Sequence, residues 1–344
     1  VLAAAPFSFA AGRRNRMARQ ATVTAGLLAL LGALFALTLT LGQSFTPPAD
    51  VLRVLLGEDV AGASFAVGQL RLPRGVLAIL SGLSFGMAGA AFQIMLRNPL
   101  ASPDIIGISS GASAAAVFAI VVLSLKGTVV SLFAVGAGLS VALLVYGLSF
   151  RNGVAGTRLI LVGIGVSAML ESMVAYLLTQ APDWNLQEAL RWLSGSLNGV
   201  QLVQAVPVLG ALALFGGVLL LLTRELDLLR LGDDTASALG VRVSQTRVLV
   251  IVSAVGLIAT ATAVTGPIAF VAFLSGPIAA RIVGPRQSLL LPAALVGALL
   301  VLGADYVGQF LLPARYPVGV VTGALGAPYL IYLIVRTNRT GGTL

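Results

Sequence analysis

Apolar residues in this chain come in near-continuous runs of about twenty, separated by short polar gaps. An α-helix rises ~1.5 Å per residue, so about 20 apolar residues cross the ~30 Å hydrocarbon core of a bilayer. Ten runs qualify, near 21–42, 74–96, 105–125, 128–150, 157–179, 201–222, 248–265, 268–283, 288–311 and 317–336. The seventh and eighth come from dividing Val248 to Ala280, a stretch too long for one crossing in which Thr265-Gly266-Pro267 supplies the break. The expected fold is therefore all-α, a polytopic transmembrane helical bundle of about ten spans. It forms one membrane domain at 21–336, with a basic segment at 1–20 and a tail at 337–344.

Two polar stretches are long enough to hold structure yet cannot cross lipid: Ser44 to Leu72 and Thr223 to Arg247. A third, Pro182 to Leu193, reads as a short amphipathic helix whose Trp184 and Trp192 suit the membrane interface.

Charge fixes the orientation. The 344 residues are 58% hydrophobic and only 10% charged, where soluble domains carry about a quarter charged. Cytoplasmic loops collect Lys and Arg. With the N-terminus inside, Arg13, Arg14, Arg16, Arg19, Arg97, Arg151, Arg158, Arg224, Arg230, Arg242, Arg247, Arg281, Arg286, Arg336 and Arg339 all fall on the inner side. Only Arg53, Arg71, Arg74, Lys126, Arg191 and Arg315 fall outside. A nine-span arrangement would put the last arginines on the wrong face. Arg13 to Arg19 followed by Ala21 to Leu41 has the outline of a signal peptide, but the run is too long and no small-residue cleavage site follows, so it is read as a retained first span.

The net charge of +9 does not point to nucleic acid, because the arginines sit at the ends of apolar runs rather than in a stripe with interleaved aromatics. The absence of Cys and His excludes thiolate and imidazole metal sites, Cys or His catalysis, and disulfides. No metal site is expected.

Chemistry concentrates in few places. Leu231-Gly232-Asp233-Asp234-Thr235-Ala236-Ser237-Ala238-Leu239-Gly240 reads as a short capped helix on the inner side. Asp233 or Asp234 is expected to accept from the free first-turn amides, and Gly240 to take the left-handed C-terminal position. Such a helix is either a lever that fits a groove on another protein or a plain solvated loop helix. Asn98-Pro99 and Pro103 break the chain at the inner face, and the Gly and Ser from Gly107 to Ser113 permit close helix packing. Arg71, Arg74 and Arg315 gather at the outer mouth, as docking charges or as interfacial anchors. Glu171 lies inside the fifth span, where a carboxylate marks a pathway or is neutralised by a proton or hydroxyl. Gln93 is a milder candidate for the pathway and suits a helix–helix hydrogen bond better.

Four stretches together resemble one family. Gln69 to Arg74, Gln93 to Ala112, Leu231 to Val241 and Tyr316 to Tyr329, the last with Gly326 and Pro328, are similar in order and content to FecCD-type permeases. That resemblance implies the membrane subunit of a type II ABC importer in a bacterial cytoplasmic membrane, carrying ferric siderophores, with haem and cobalamin as alternative cargoes. It implies a second permease copy or homologue, a cytosolic ATPase dimer that uses ATP and Mg, an extracytoplasmic substrate-binding lipoprotein, and a pathway lined partly by the fifth span. It also assigns the segment around Asp233 to ATPase coupling and the second-span arginines to binding-protein carboxylates. One departure stands out: where many relatives have Pro-His, this chain has Gly276-Pro277-Ile278. No G-x-x-x-x-G-K-[ST] pattern occurs and Lys126 is the sole lysine, so ATP hydrolysis belongs to another chain and this one binds no cofactor itself. An ion-coupled transporter would rest on Glu171 alone, and an intramembrane enzyme would need paired carboxylates that the spans lack.

Overall fold

The computed structural model describes residues 9–149, 156–284 and 287–339. Arg151, Arg286 and residues 340–344 of the tail lie outside the described residues, as do residues 1–8 and the side chains of Arg13, Arg14, Arg16, Arg336 and Arg339.

Fifteen α-helices follow one another among the described residues, with no strand. Helix α1 (Phe9–Thr40) leads to the short α2 (Pro48–Leu55), and a π-helical turn at Ser64–Arg71 runs into α3 (Leu72–Leu96). Then come α4 (Ile108–Val121), α5 (Thr128–Ser149), α6 (Gly156–Thr179) and the amphipathic α7 (Asp183–Leu193). The sixth span is α8 (Ala205–Ala211), a π turn and α9 (Gly217–Leu221). Short α10 (Thr223–Leu229) and α11 (Asp233–Ala238) precede α12 (Val243–Thr265), α13 (Val271–Val283), α14 (Leu290–Tyr306) and α15 (Val318–Arg339). Seven of these runs are long and apolar enough to cross a membrane, and three shorter apolar helices, Ile108–Val121, Val271–Val283 and Val318–Leu333, complete the ten expected crossings.

The centre of the bundle is α3, flanked by α14, α12 and α13, while α1, α5 and α6 leave most of their surface outward. Glycine makes that centre tight. A Cβ on Gly86 would lie 2.3 Å from the Ala293 carbonyl oxygen, and one on Gly297 would lie 2.2 Å from that of Gly82. A Cβ on Gly89 would sit 1.8 Å from the Ala272 carbonyl oxygen on α13. Lipid supplies no hydrophobic drive between helices, so this backbone approach and the dispersion it allows are what hold the central pair together.

Two spans are shorter than their apolar runs. Helix α4 starts at Ile108 rather than near 105, because Arg97 (φ 51°), Pro99, a 3-10 turn at Pro103–Ile106 and Gly107 (φ 81°) keep the preceding chain irregular. Helix α13 starts at Val271 after Gly266 (φ 69°) and Phe270 (φ 65°). Irregular backbone at such depth survives only where protein or water satisfies it, and Ala101, Ser102 and Ile268 are buried.

On the outer side, three connections meet. The Ser196 amide donates to the Thr265 carbonyl at 2.7 Å and the Gly319 amide to the Gly195 carbonyl at 3.1 Å. A Cβ on Gly195, Gly266 or Gly319 would come within 2.4 Å of the facing backbone. The ends of α7 and α12 and the start of α15 are thereby stitched main chain to main chain.

Candidate functional site

The inner polar segment folds as a platform and a projecting helix. Leu226 and Leu229 of α10 are buried, and burial pushes the Asp227 carboxyl above the usual carboxylate range against the opposing pull of Arg230. Gly232 (φ 107°) turns the chain into α11. The cap differs from the expectation: Gly232 is the N-cap, no side chain caps the helix, and Asp233 is its first residue. Its carboxylate is drawn to stronger partners. Arg247 Nη2 donates to both Asp233 oxygens at 2.8 and 3.0 Å, and Arg97 Nη2 lies 3.6 Å away. One carboxylate thus joins α11 to the start of α12 and the end of α3. The C-terminus closes as a Schellman motif, with Gly240 (φ 88°) donating to the Ser237 carbonyl at 2.9 Å and Val241 to that of Ala236 at 3.0 Å. Ala236 is buried, Asp234, Thr235, Ser237 and Ala238 are exposed, and Leu231 and Leu239 flank them at 60% and 56% exposure.

At the outer mouth the three arginines part company. Arg71 Nη1 donates to the Leu39 and Thr40 carbonyls at 2.8 and 3.1 Å, and Nη2 to the Ser44 carbonyl at 2.7 Å. It caps the C-terminal end of α1, where a cation complements the unpaired carbonyls. Arg74 makes a bidentate pair with Asp305 at 2.6 and 2.7 Å and donates to Asn198 Oδ1 at 2.7 Å. Its side chain is 19% exposed and that of Asp305 is 8% exposed. Both guanidiniums therefore have partners inside the chain. Arg315 is exposed and has no ion pair or hydrogen bond among the described residues. Asp305 went unremarked in the sequence although it lies inside the ninth apolar run, the same signal that singled out Glu171.

Gln93 is buried and donates through Nε2 to the Phe273 carbonyl at 2.9 Å. That carbonyl lacks a helical partner because Pro277, four residues on, has no N–H. Gly276 makes room, since a Cβ there would lie 1.9 Å from Gln93 Oε1. The helix–helix role holds for Gln93, which does not line the cavity described next.

Glu171 does line it. A cavity of about 680 Å³ opens between α6, the irregular chain before α4 and the start of α13, with Asp104, Ser109, Ser167, Glu171, Phe270 and Phe273 in its wall. Asp104 accepts from Ser109 Oγ at 2.5 Å and from Ser102 Oγ at 3.1 Å. Asn98 and Pro99 shape the turn before it, the Asn98 side chain accepting from the Leu100 amide at 2.9 Å. Gly107 and Gly111 hold α4 close: a Cβ on Gly111 would meet Val141 at 2.7 Å, and one on Gly107 the Ser167 hydroxyl at 3.1 Å. In α15, Gly326 leaves space for the Phe270 ring, 2.4 Å from where a Cβ would sit, and Pro328 lies within the helix.

Residues 28–336 match the FecCD transport family. The chain is 42% identical, over 84% of its length and 88% of the relative's, to the ferric enterobactin transport system permease protein FepG of Escherichia coli K12. It is 40% identical to the achromobactin transport system permease protein CbrC of Dickeya dadantii, over 95% and 96% of the two chains. The fold superposes with a TM-score of 0.82 and 28% identity on an inward-facing conformation of a protein described as a metal-chelate type ABC transporter, covering 92% of this chain and 99% of that one.

Proposed function

The chain belongs to the FecCD transport family, and from that premise we propose that it is the conduit through which an ABC importer moves a ferric siderophore into a bacterial cytoplasm. It is a multi-pass membrane protein and a transport subunit. In this reading it pairs with a second copy or a homologous permease, receives its chelate from an extracytoplasmic binding protein, and is driven by a cytosolic ATPase dimer that consumes ATP with Mg. Residues 1–20, 223–247 and 337–344 lie on the cytosolic side. The curated relatives, transport permeases for ferric enterobactin and achromobactin, support an iron chelate as cargo. Arg315 offers the free outer cation for a carboxylate on the binding protein.

The observation that carries this mechanism is the triple contact at Asp233. A motor that closes on the exposed Leu231 and Leu239 pushes α11, and the Arg97–Asp233–Arg247 cluster passes the displacement to α3 and α12, the best-packed helices of the bundle. Deleting Thr235 to Ala238, or replacing Asp233 and Asp234 together, is expected to abolish stimulation of the ATPase by the permease in proteoliposomes while leaving insertion intact. Unchanged ATP-driven uptake of ferric chelate by the deletion variant would overturn the coupling role.

A further inference from the structure

Helices α13 and α15 pack side by side, and the seam between them has an apolar half and a charged end. In the apolar half, against α14, lies a cavity of about 220 Å³ with Leu274, Leu300, Ala304, Thr322 and Leu325 in its wall. Leu274, Ala304 and Thr322 are buried, whereas Leu325 is 63% exposed and marks the opening. A cavity so lined holds no ordered water, and the medium outside it is hydrocarbon.

The charged end lies further along the same faces. Arg281 follows Leu274 by seven residues on α13, as Tyr332 follows Leu325 on α15, so each pair shares one helix face about 10 Å apart. The Arg281 guanidinium sits 5.6 and 5.2 Å from the ring centroids of Tyr329 and Tyr332. Those rings steady the cation through their faces. Arg281 is nevertheless exposed, and it makes no hydrogen bond or ion pair among the described residues. The surrounding helices supply no carboxylate for it. Helices α1, α3, α13 and α15 contain no acidic residue, and Asp305, the one acid of α14, is held by Arg74 at the outer end.

We propose that this seam binds one anionic phospholipid, its phosphate on Arg281 and one acyl chain running between α13 and α15 into the 220 Å³ cavity. The cation and the apolar space lie on one line at a separation an acyl chain covers, which neither a soluble anion nor a neutral lipid would use in full. Guanidinium N–H groups pair with phosphate oxygens in a planar fork, and basic pockets between spans recognise anionic headgroups in this way. The lipid belongs to the leaflet at the C-terminal end of α13. That leaflet is the cytosolic one in the orientation of the proposed importer, and the inference rests on the transport reading for this alone.

The test uses the chain assembled with its partner subunits in nanodiscs of phosphatidylcholine. Phosphatidylglycerol carrying a diazirine midway along one acyl chain is added as a minor component, irradiated, and its adducts mapped by peptide mass spectrometry. Leu274, Ala304 and Thr322, which annular lipid does not reach, should be labelled about fivefold or more above the level given by a phosphatidylcholine with the same diazirine. Arg281→Gln should lower the phosphatidylglycerol labelling to the phosphatidylcholine level, and Arg281→Lys should restore most of it. Ala304→Leu, which fills the cavity and leaves Arg281 in place, should remove the adducts at Leu274 and Thr322 for both lipids. Equal labelling by the two lipids in the unaltered chain, a preference that survives Arg281→Gln, or adducts confined to exposed residues would each overturn the proposal.

Discussion

Arg74 and Asp305 show how little a side chain's sequence neighbourhood says about its partner. Arg74 opens a span beside Arg71, in the position of an interfacial anchor, and the carboxylate that claims it lies 231 residues away. Breaking a buried pair strands a charge, so Arg74→Ala or Asp305→Ala is expected to destabilise the protein by about 3–5 kcal/mol. Thermal unfolding of the detergent-purified chain measures this, and the double replacement Arg74→Met with Asp305→Leu should recover most of the loss. Gln93 carries a smaller, separable term. Gln93→Leu leaves the Phe273 carbonyl unpaired at a cost of about 1–3 kcal/mol, and restoring the α13 ladder with Pro277→Ala should soften that penalty in a double-mutant cycle. Neither partnership was legible from residue type, because a lone acid or amide in an apolar run announces that it needs a partner without saying which helix supplies it.

Among the elements, the spans were readable wherever twenty apolar residues coincide with unbroken helix, as in α5, α6 and α12. The ends of α4 and α13 were placed too far out because their apolar character runs past their helical ends. Ile105, Ile106, Ile268 and Phe270 look like span residues, yet Gly107 and Phe270 adopt left-handed backbone that hydropathy does not register. The glycines of α3 were equally silent, since nothing in the chain marks which helix faces them. Gly86→Leu should destabilise the α3–α14 contact by about 1–3 kcal/mol, as overpacking at backbone–backbone approach does. Gly136→Ala on α5, where nothing lies within 4 Å of the added methyl, should leave stability unchanged. Comparing the two variants by thermal melting separates packing from any intrinsic effect of losing glycine. For α11 the sequence was right about the helix and the left-handed Gly240, and wrong about the cap, because a carboxylate flanked by Arg97 and Arg247 has better partners than backbone amides.

At the scale of the whole molecule, orientation followed from arginine counts, and it has a direct check. A single cysteine at Ala238 should react with a membrane-impermeant maleimide only from the cytosolic side, and one at Arg315 only from the outer side; the opposite pattern would invert the bundle. The outer knot of Gly195, Gly266 and Gly319 bears on a different matter. Three loops sutured through their main chains leave no slack for one subunit to splay its own exterior rim. In the proposed pair of permeases, the entrance for a bulky chelate is then expected at the seam between neighbouring subunits, widened as each tilts like a door leaf about its frame.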